Sequence, residues 1–252
     1  MTTEKIEVMK FVAEDFHTAE AMKTIRTNLM FCGPAVRVIA LTSVAMGEGK
    51  STMSFQLAAS LAQAGKTVLL LDADLRGSVF VKHLELHKKV DGLSHCLSGL
   101  AEPNDLVYPT DVSGLFIMFS GARVLNASEL LAGKEFKSFI AGARTVFDYI
   151  IVDTPPLGQV IDCAAMAPSL DGVIMVIDST NNNYKLEQKI KAQLEKAGVR
   201  ILGVILNRVN LKAISGYYGK SYYGRYGYGY GESHKEKKKK RRFFALLFDK
   251  IL

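Results

Sequence analysis

The 252-residue sequence contains no apolar run long enough to cross a membrane. Its longest apolar runs, such as 68–71 and 173–177, have the length of a strand, whereas a transmembrane helix needs about 18 to 20 such residues. The first 15 residues mix acidic and basic side chains and include no apolar block, so we expect no secretory signal peptide. These absences predict a cytoplasmic protein.

Cysteine is also scarce. Cys32, Cys96 and Cys163 are odd in number and far apart, which favours a reducing compartment over a disulfide framework. His83 and His87 have the spacing of one helical turn, but lysines surround them and no carboxylate pair accompanies them. We therefore expect solvated histidines there and not a zinc site.

Acidic side chains are too few to balance the basic ones, because 25 Asp and Glu oppose 32 Lys and Arg for a net charge of +7. Residues 234–252 hold eight of the basic and two of the acidic side chains, a net of +6 that leaves +1 for residues 1–233. A nearly neutral domain gives no reason to expect a nucleic-acid partner.

The basic segment ends in the largely apolar sequence FFALLFDKIL. Lysines and arginines followed by phenylalanines and leucines are typical of segments that attach to an anionic membrane surface. The alternative is a short helix that docks into a groove of this protein or of a partner.

Apolar residues make up 48% of the sequence and charged residues 23%, as in an ordinary globular domain. Strand-like and helix-like segments alternate, which predicts an α/β fold with a doubly wound, mostly parallel sheet. The predicted strands are 38–42, 67–72, 115–119, 149–153, 172–178 and 201–207, and the predicted helices are 15–30, 50–64, 127–143 and 183–197.

Changes of composition predict four segments, namely an N-terminal extension (1–14), a folded domain (15–212), a tyrosine- and glycine-rich tail (213–233) and a basic amphipathic C terminus (234–252). Within the tail, residues 216–231 hold seven of the ten tyrosines and six glycines, and no aliphatic side chain that could build a core. We therefore expect the tail to be disordered. Its tyrosines are Tyr217, Tyr218, Tyr222, Tyr223, Tyr226, Tyr228 and Tyr230.

The segment Ser43–Thr52 follows the first predicted strand and opens a helix, as a phosphate-binding P-loop does. Gly47 and Gly49 permit a tight turn in which backbone N–H groups face the phosphates. Lys50 would reach the β- and γ-phosphates, and the Ser51 hydroxyl would bind Mg²⁺. We therefore predict that ATP and Mg²⁺ bind here; the predicted nucleotide-binding residues of the loop are Gly47, Glu48, Gly49, Lys50, Ser51 and Thr52.

Phosphoryl transfer also needs carboxylates that hold the metal and orient the nucleophile. Asp72 and Asp74 follow one predicted strand, and Asp153 ends another, as in a Walker B strand. The carboxyl ends of parallel strands meet at the edge where α/β proteins bind ligands. We therefore predict that Lys50 and the three aspartates are catalytic, and that Ser51, Asp72 and Asp153 are metal ligands.

These motifs make residues 14–231 resemble the bacterial tyrosine kinases of the capsule and exopolysaccharide branch, the CpsD and CapB type. The P-loop matches the family pattern S-x-x-P-G-E-G-K-S-T, with methionine in place of the proline. Leu70–Arg76 matches L-L-D-x-D-x-R, and Asp153–Pro156 matches D-x-P-P. Gly203–Asn207 matches a late strand, and the resemblance implies that Asn207 lies at the adenine.

The resemblance implies an ATP-dependent protein-tyrosine autokinase of the deviant-Walker group of P-loop NTPases. Tyr217–Tyr230 would be the site of autophosphorylation, which would regulate capsule and exopolysaccharide synthesis and export. Asp153 would order the water shell of the metal, and Asp72 or Asp74 would orient and deprotonate the incoming tyrosine hydroxyl. Asp162 corresponds to a further aspartate of the family.

The resemblance also implies partners. Kinases of this type are activated by the cytoplasmic end of a separate membrane protein, which would place this chain at the inner face of the cell membrane, and a cognate tyrosine phosphatase would reverse the reaction. The E-x-x-R-x-x-R helix that builds the family's ring-shaped oligomer reads Glu20, Lys23 and Arg26 here. Lysine keeps the charge of the replaced arginine but not its bidentate geometry.

Two alternatives stay open on the sequence alone. MinD- and ParA-like ATPases share the fold and the aspartate motifs, but their signature lysine would stand at Ala45, and they do not require clustered tyrosines. A non-catalytic, nucleotide-gated scaffold of a polysaccharide assembly complex would keep the P-loop without transferring phosphate. The P-loop also departs from the general pattern at Val44, where that pattern has glycine.

Overall fold

The computed structural model describes residues 5–12, 16–86, 89–157, 162–181 and 184–209. Within these residues seven strands form one sheet in the order β3-β4-β2-β5-β1-β6-β7. They are β1 (Val38–Ser43), β2 (Val68–Asp72), β3 (Tyr108–Pro109), β4 (Leu115–Met118), β5 (Tyr149–Asp153), β6 (Gly172–Asp178) and β7 (Ile201–Asn207). Only the pairing of β3 with β4 is antiparallel, which confirms the predicted mostly parallel α/β sheet.

The helices of the described residues are α1 (Phe16–Phe31), α2 (Lys50–Gln63), α3 (Phe80–His83), α4 (Leu93–Leu97), α5 (Ala127–Ala132), α6 (Lys134–Val146), α7 (Asp162–Ala165) and α8 (Tyr184–Lys196). The single helix predicted over 127–143 is wrong, because two helices meet at Gly133. Gly133 has an extended backbone, and it ends α5 and precedes α6. Glycine has a low helix propensity, so ending the helix at this residue costs little free energy.

The sheet is covered on both faces, and this explains why its strands are almost continuously apolar. Side chains alternate along each strand, so that in β1 Ile39 and Leu41 enter one buried cluster and Val38 and Ala40 enter the other. The first cluster includes residues of α1 and α2, and the second includes residues of α6 and α8. The result is a three-layer sandwich, as doubly wound folds require.

The N-terminal segment packs on the domain further upstream than the predicted boundary at residue 15. Ile6 and Val8 are buried members of the first cluster. The N–H of Ile6 donates to the carbonyl of Pro109 (2.9 Å), and the N–H of Val8 donates to the Asp111 carboxylate (2.8 Å). Residues 5–12 therefore contribute to the core, which their mixed composition did not indicate.

Among the residues that the structure describes, none of the helices has the length and apolarity that crossing a bilayer requires. Residues 210–252, which include the tyrosine cluster and the basic C terminus, lie outside the described residues. The predictions for both segments therefore stay predictions.

The strand order fixes where the predicted site lies. In the sheet β5 lies between β2 and β1, so the end of β5 is flanked by the P-loop after β1 and by the turn after β2. Asp72 and Asp153 are direct neighbours in the register of β2 and β5. Three distant parts of the sequence thus meet at the carboxyl edge of the sheet, where ligands of such folds bind.

Candidate functional site

The P-loop turns through two glycines with left-handed backbone, Gly47 (φ 81°) and Gly49 (φ 88°). A Cβ at Gly49 would lie 2.2 Å from Nδ2 of Asn207, so glycine is required there both for its conformation and for space. Val44 takes a negative φ, which explains why this loop needs no glycine at that position. Helix α2 begins directly after Gly49, and its N-terminus therefore faces the loop.

The side chain of Glu48 stabilises the P-loop by hydrogen bonds to the loop's own backbone. Its carboxylate accepts the N–H groups of Val44 (2.8 Å) and Ala45 (3.0 Å), and the residue is buried. Burial raises the pKa of Glu48, and these two backbone hydrogen bonds oppose that rise. Glu48 was predicted from the sequence to bind nucleotide. In the structure its carboxylate contacts the backbone of the loop itself.

The end of β7 closes over the other side of the loop. Asn207 is fully buried, its Nδ2 donates to the carbonyl of Glu48 (2.8 Å), and its Oδ1 accepts the N–H of Arg208. The Arg208 guanidinium donates to the carbonyl of Gly47 (2.6 Å) and pairs with Asp178 at the end of β6. Arg208 was not predicted, because only the folded sheet brings β6 and β7 to the loop.

Lys50, Ser51 and Asp153 form the centre of the site. Lys50 Nζ lies 2.7 Å from Asp153 Oδ2, and the Ser51 hydroxyl donates to the same oxygen at 2.7 Å. Ser54, one turn further along α2, donates to Asp153 Oδ1 at 2.6 Å. Both oxygens of the buried carboxylate are thereby oriented. Ser54 was missed, although its position four residues after Lys50 puts it on the same face of α2.

Asp72 is fully buried beside Asp153. It accepts hydrogen bonds from the hydroxyl of Ser78, the N–H of Ser120 and the N–H of Asp74. Burial, and next the negative charge of Asp153, raise the pKa of Asp72 to about 7. The site thus holds two adjacent buried carboxylates, and Lys50 is the cation paired with one of them.

Asp74 differs from Asp72 in exposure and in role. It is half-buried, and its Oδ1 accepts the N–H groups of Arg76 (3.2 Å) and Gly77 (2.9 Å) in the turn after β2. β2 ends at Asp72, so the two aspartates belong to a strand end and a turn respectively. Asp74 therefore offers its carboxylate nearer to solvent than Asp72 does.

An ion pair between the half-buried Arg76 and the buried Asp162 joins this turn to the segment that follows β5. Arg76 Nε lies 2.8 Å from Asp162 Oδ2, and Asp162 is the first residue of α7. Arg76 Nη2 also lies 3.2 Å from Asp162 Oδ1 and 3.0 Å from the hydroxyl of Ser128, which itself donates to Asp162. The hydrogen bond to Asp162 raises the pKa of Arg76.

The predicted metal ligands Ser51, Asp72 and Asp153 are brought together, and their oxygen donors are the type that Mg²⁺ prefers. Burial and the neighbouring Asp153 charge raise the pKa of Asp72, and a bound divalent cation would favour the charged form of both carboxylates. The residues present therefore fit the ion. Within the described ranges no three His, Cys, Asp or Glu side chains are grouped as a further metal site.

The predicted oligomer residues lie on α1. Glu20 and Lys23 are exposed and pair with each other at 2.7 Å. Arg26 points to α2, where it donates to the carbonyl of Ser60 at 2.9 Å and to the Ser60 hydroxyl at 3.3 Å. These contacts lie within one chain, and the ring-shaped oligomer stays a prediction.

Comparison with known proteins separates the alternatives. Residues 36–202 match the model of a family described as "AAA domain". The tyrosine-protein kinase CpsD of Streptococcus agalactiae is 41% identical over 210 residues, which are 83% of this chain and 90% of that protein. Among solved structures, the chimerical protein CapA2B2 has a TM-score of 0.75 at 31% identity, over 83% of this chain and 94% of that one.

The septum site-determining protein MinD of Pyrococcus horikoshii, solved with Mg-ADP, is a more distant neighbour. Its TM-score is 0.59 at 25% identity, over 72% of this chain and 76% of that one. MinD thus shares the fold and the P-loop architecture at a lower similarity, and a MinD- or ParA-like ATPase is not favoured. With its ATP-binding P-loop and its likeness to CpsD over most of its length, the chain belongs to the bacterial tyrosine-protein kinases of the CpsD and CapB type.

Proposed function

We propose that this kinase transfers the γ-phosphoryl group of ATP to tyrosines of its own C-terminal cluster, and that the transfer regulates capsule and exopolysaccharide synthesis and export. The observation that carries the proposal is the meeting of Lys50, Asp72 and Asp153 at the carboxyl edge of the sheet. Seven tyrosines between Tyr217 and Tyr230 supply acceptors on the same chain.

Residues 43–52 bind the phosphates of ATP. The left-handed turns at Gly47 and Gly49 aim backbone N–H groups inward, and Glu48 keeps the loop in this shape. Lys50 exchanges its contact with Asp153 for the β- and γ-phosphates, whose negative charge it balances. Thr52 lies in the first turn of α2, where its N–H also faces the site. Asn207 holds the loop beside the adenine.

Ser51, Asp72 and Asp153 hold Mg²⁺. When bound, the ion neutralises the charge that develops on the transferred phosphoryl group. Asp153 is suited to order the water shell of the ion, because Ser54 fixes one of its oxygens and leaves the other directed at Ser51. A bound cation would offset part of the cost of burying two adjacent carboxylates.

Asp72 or Asp74 orients the acceptor tyrosine and accepts its proton. A phenol has a pKa of about 10, far below that of an aliphatic alcohol, so a carboxylate suffices as the base. Asp72 ends β2 directly beside Asp153, so its carboxylate lies next to the predicted phosphate site. Asp74 is the more exposed of the two and is easier for an incoming side chain to reach.

The proposal extends to location and partners. The kinase lies in the cytoplasm at the inner face of the cell membrane, where the cytoplasmic end of a separate membrane protein activates it and a tyrosine phosphatase opposes it. Helix α1 contributes Glu20, Lys23 and Arg26 to a homo-oligomer, which the exposed Glu20–Lys23 face closes into a ring. Residues 15–212, on which residues 5–12 pack, are the catalytic domain. Residues 213–233 are the phosphate-accepting tail, and residues 234–252 are the segment that contacts anionic lipid.

The test is to incubate the full chain with γ-labelled ATP and Mg²⁺ and to measure released phosphate and protein-bound label together. The account expects label on the wild type and none on a variant with all seven tail tyrosines changed to phenylalanine. Hydrolysis without protein-bound label would favour an ATPase. Nucleotide binding with neither hydrolysis nor label would favour the non-catalytic scaffold.

A further inference from the structure

Arg76 contacts two separate parts of the site through its backbone and its side chain. We propose that Arg76 is a positioning residue that ties the turn carrying Asp74 to the segment following Asp153, and so sets the geometry at which the acceptor tyrosine is deprotonated. The inference deepens the proposed function and rests on it, because the geometry in question is that of the tyrosine acceptor. It assigns Arg76 no contact with ATP or with the tyrosine.

The backbone of Arg76 defines the position of Asp74. Its N–H donates to Asp74 Oδ1 at 3.2 Å, and the N–H of Gly77 donates to the same oxygen at 2.9 Å. The Asp74 N–H in turn donates to Asp72 Oδ1 at 3.2 Å. The turn at Arg76 therefore orients the carboxylate of Asp74, and the N–H of Asp74 links the turn to the carboxylate of Asp72.

The side chain of Arg76 defines where that turn lies. Its guanidinium makes two hydrogen bonds to Asp162, at 2.8 and 3.2 Å, and a third to the hydroxyl of Ser128 at 3.0 Å. Ser128 lies on α5 and Asp162 begins α7, and these two helices pack against each other. The turn after β2 is thus hydrogen-bonded to one residue on each of two helices that contact each other.

The geometry needs an arginine. The Asp162 side chain has no exposed surface, so its charge depends on directed donors that reach both oxygens. A guanidinium supplies two parallel N–H groups in a rigid fork, whereas a lysine supplies a single point charge on a flexible stem. Lysine at residue 76 would keep the charge but would leave the turn free to move relative to α5 and α7.

The chain offers a matched control. Arg144 forms a second two-pronged pair with Asp171, with N–O distances of 2.7 and 2.9 Å. Asp171 also accepts the N–H groups of Arg37 and Val38, so that this pair lies at the start of β1, at the opposite edge of the sheet from the site. Arg144→Lys thus makes the same chemical change far from the carboxylates.

The experiment uses the full chain and a synthetic peptide of residues 216–231 as the acceptor. Wild type, Arg76→Lys, Ser128→Ala and Arg144→Lys are compared for kcat and KM of peptide phosphorylation, and for affinity for a fluorescent ADP analogue with Mg²⁺. We expect Arg76→Lys to lower kcat about 10- to 100-fold, as loss of an orienting partner does. Its affinity for the analogue stays within about twofold of wild type, because the P-loop is untouched.

Ser128→Ala covers the case in which Arg76→Lys folds poorly. It removes the hydrogen bond from the guanidinium to Ser128 and also the hydroxyl that donates to Asp162, and we expect a smaller fall in kcat than in Arg76→Lys. Arg144→Lys should lower the melting temperature and leave kcat near that of wild type. Unchanged kcat in both site variants, or equal losses in Arg76→Lys and Arg144→Lys, would overturn the inference.

Hydrogen–deuterium exchange tests the structural coupling of the turn to α7 without relying on kinase activity. The inference expects faster exchange in Arg76→Lys at residues 74–77 and at the start of α7, and no such change in Arg144→Lys. If the wild type labels neither its tail nor the peptide, the proposed function fails, and unchanged exchange in Arg76→Lys would overturn the coupling itself.

Discussion

Asp72 is a fully buried carboxyl group with a strongly raised pKa. Its pKa in the folded protein is about 7, against an ordinary value of 3.8, so the folded state keeps this proton at a pH where the unfolded chain has lost it. The free energy of unfolding therefore falls as the pH rises from about 4 to about 7, and the loss is complete above that range. Asp72→Asn removes the titrating group and with it this loss.

The expected result concerns the nucleotide-free protein in urea denaturation at pH 5 and pH 8. The free energy of unfolding of the wild type should fall between pH 5 and pH 8, and that of Asp72→Asn should fall less. Asp74→Asn is the matched control, because Asp74 is half-buried and an asparagine can keep its hydrogen bonds to the turn. An identical pH dependence in wild type and Asp72→Asn would count against the assignment of the shift to Asp72.

Gly49 makes a second prediction. Alanine there adds a Cβ at 2.2 Å from Asn207 Nδ2 in a left-handed backbone, whereas a Cβ at Gly47, also left-handed, meets no atom within 4 Å. A left-handed conformation costs a residue with a Cβ about 1–2 kcal/mol. We expect Gly49→Ala to abolish binding of a fluorescent ADP analogue and Gly47→Ala to weaken it; equal effects would contradict the steric role of Asn207.

Among the helices and strands, the contact of α2 with the end of β5 is the one that orients the site. Ser54 is fully buried and donates to Asp153, so Ser54→Ala leaves a carboxylate oxygen without its donor. An unsatisfied buried group costs about 1–3 kcal/mol. We expect that loss in the free energy of unfolding, together with weaker Mg²⁺-dependent nucleotide binding.

Ser60→Ala is the control for that prediction, because Ser60 lies on the same helix and is also buried. Its hydroxyl makes a longer contact with Arg26, at 3.3 Å, while the Ser60 carbonyl keeps the shorter one at 2.9 Å. Ser54→Thr should restore binding in part, since it retains the hydroxyl. Equal losses in Ser54→Ala and Ser60→Ala would contradict a special role for Ser54.

The elements that could be predicted are those whose sequence is dominated by burial. The strands β2, β5 and β6 are nearly continuous apolar runs, and β1 is apolar from residue 38 to residue 41. Asp72 and Asp153 end two of these strands, so the same pattern predicted both the strands and the carboxylates at their ends. The two-residue strand β3 contains a proline and has no such pattern. The break at Gly133 was missed because apolar residues continue in register on both sides of it.

The parts of the site that could not be predicted depend on contacts between distant residues. Arg208 reaches the carbonyl of Gly47 across 161 positions, and Arg76 reaches Asp162 across 86. No local sequence pattern predicts either pair, because each forms only when the strand order brings two loops together. The P-loop itself could be predicted, because its glycines and Lys50 act within a few residues of one another.

For the molecule as a whole, charge is divided between a nearly neutral body and a basic end. Residues 1–233 carry a net +1 and residues 234–252 a net +6, directly after the tyrosine cluster. Each phosphate adds about −1.5 to −2, so about four phosphotyrosines would cancel the charge of the C terminus. We expect phosphorylated protein to bind anionic vesicles more weakly than unphosphorylated protein.

Co-sedimentation with vesicles that contain phosphatidylserine measures this difference, and vesicles of neutral lipid are the control. Binding to the anionic vesicles should also weaken with added salt, since exposed charges are screened over about 10 Å at 0.1 M. Equal binding of the two phosphorylation states would show that the tail tyrosines do not regulate attachment, and binding to neither vesicle would favour a protein partner for residues 234–252.

The most direct test of the kinase assignment is to map phosphorylated residues by mass spectrometry after the full chain has been incubated with Mg-ATP. The account predicts phosphate on tyrosines between Tyr217 and Tyr230 in the wild type and none in Lys50→Met, which lacks the phosphate-binding amine. Consumption of ATP without phosphotyrosine in the tail, or tail phosphorylation that persists in Lys50→Met, would contradict it.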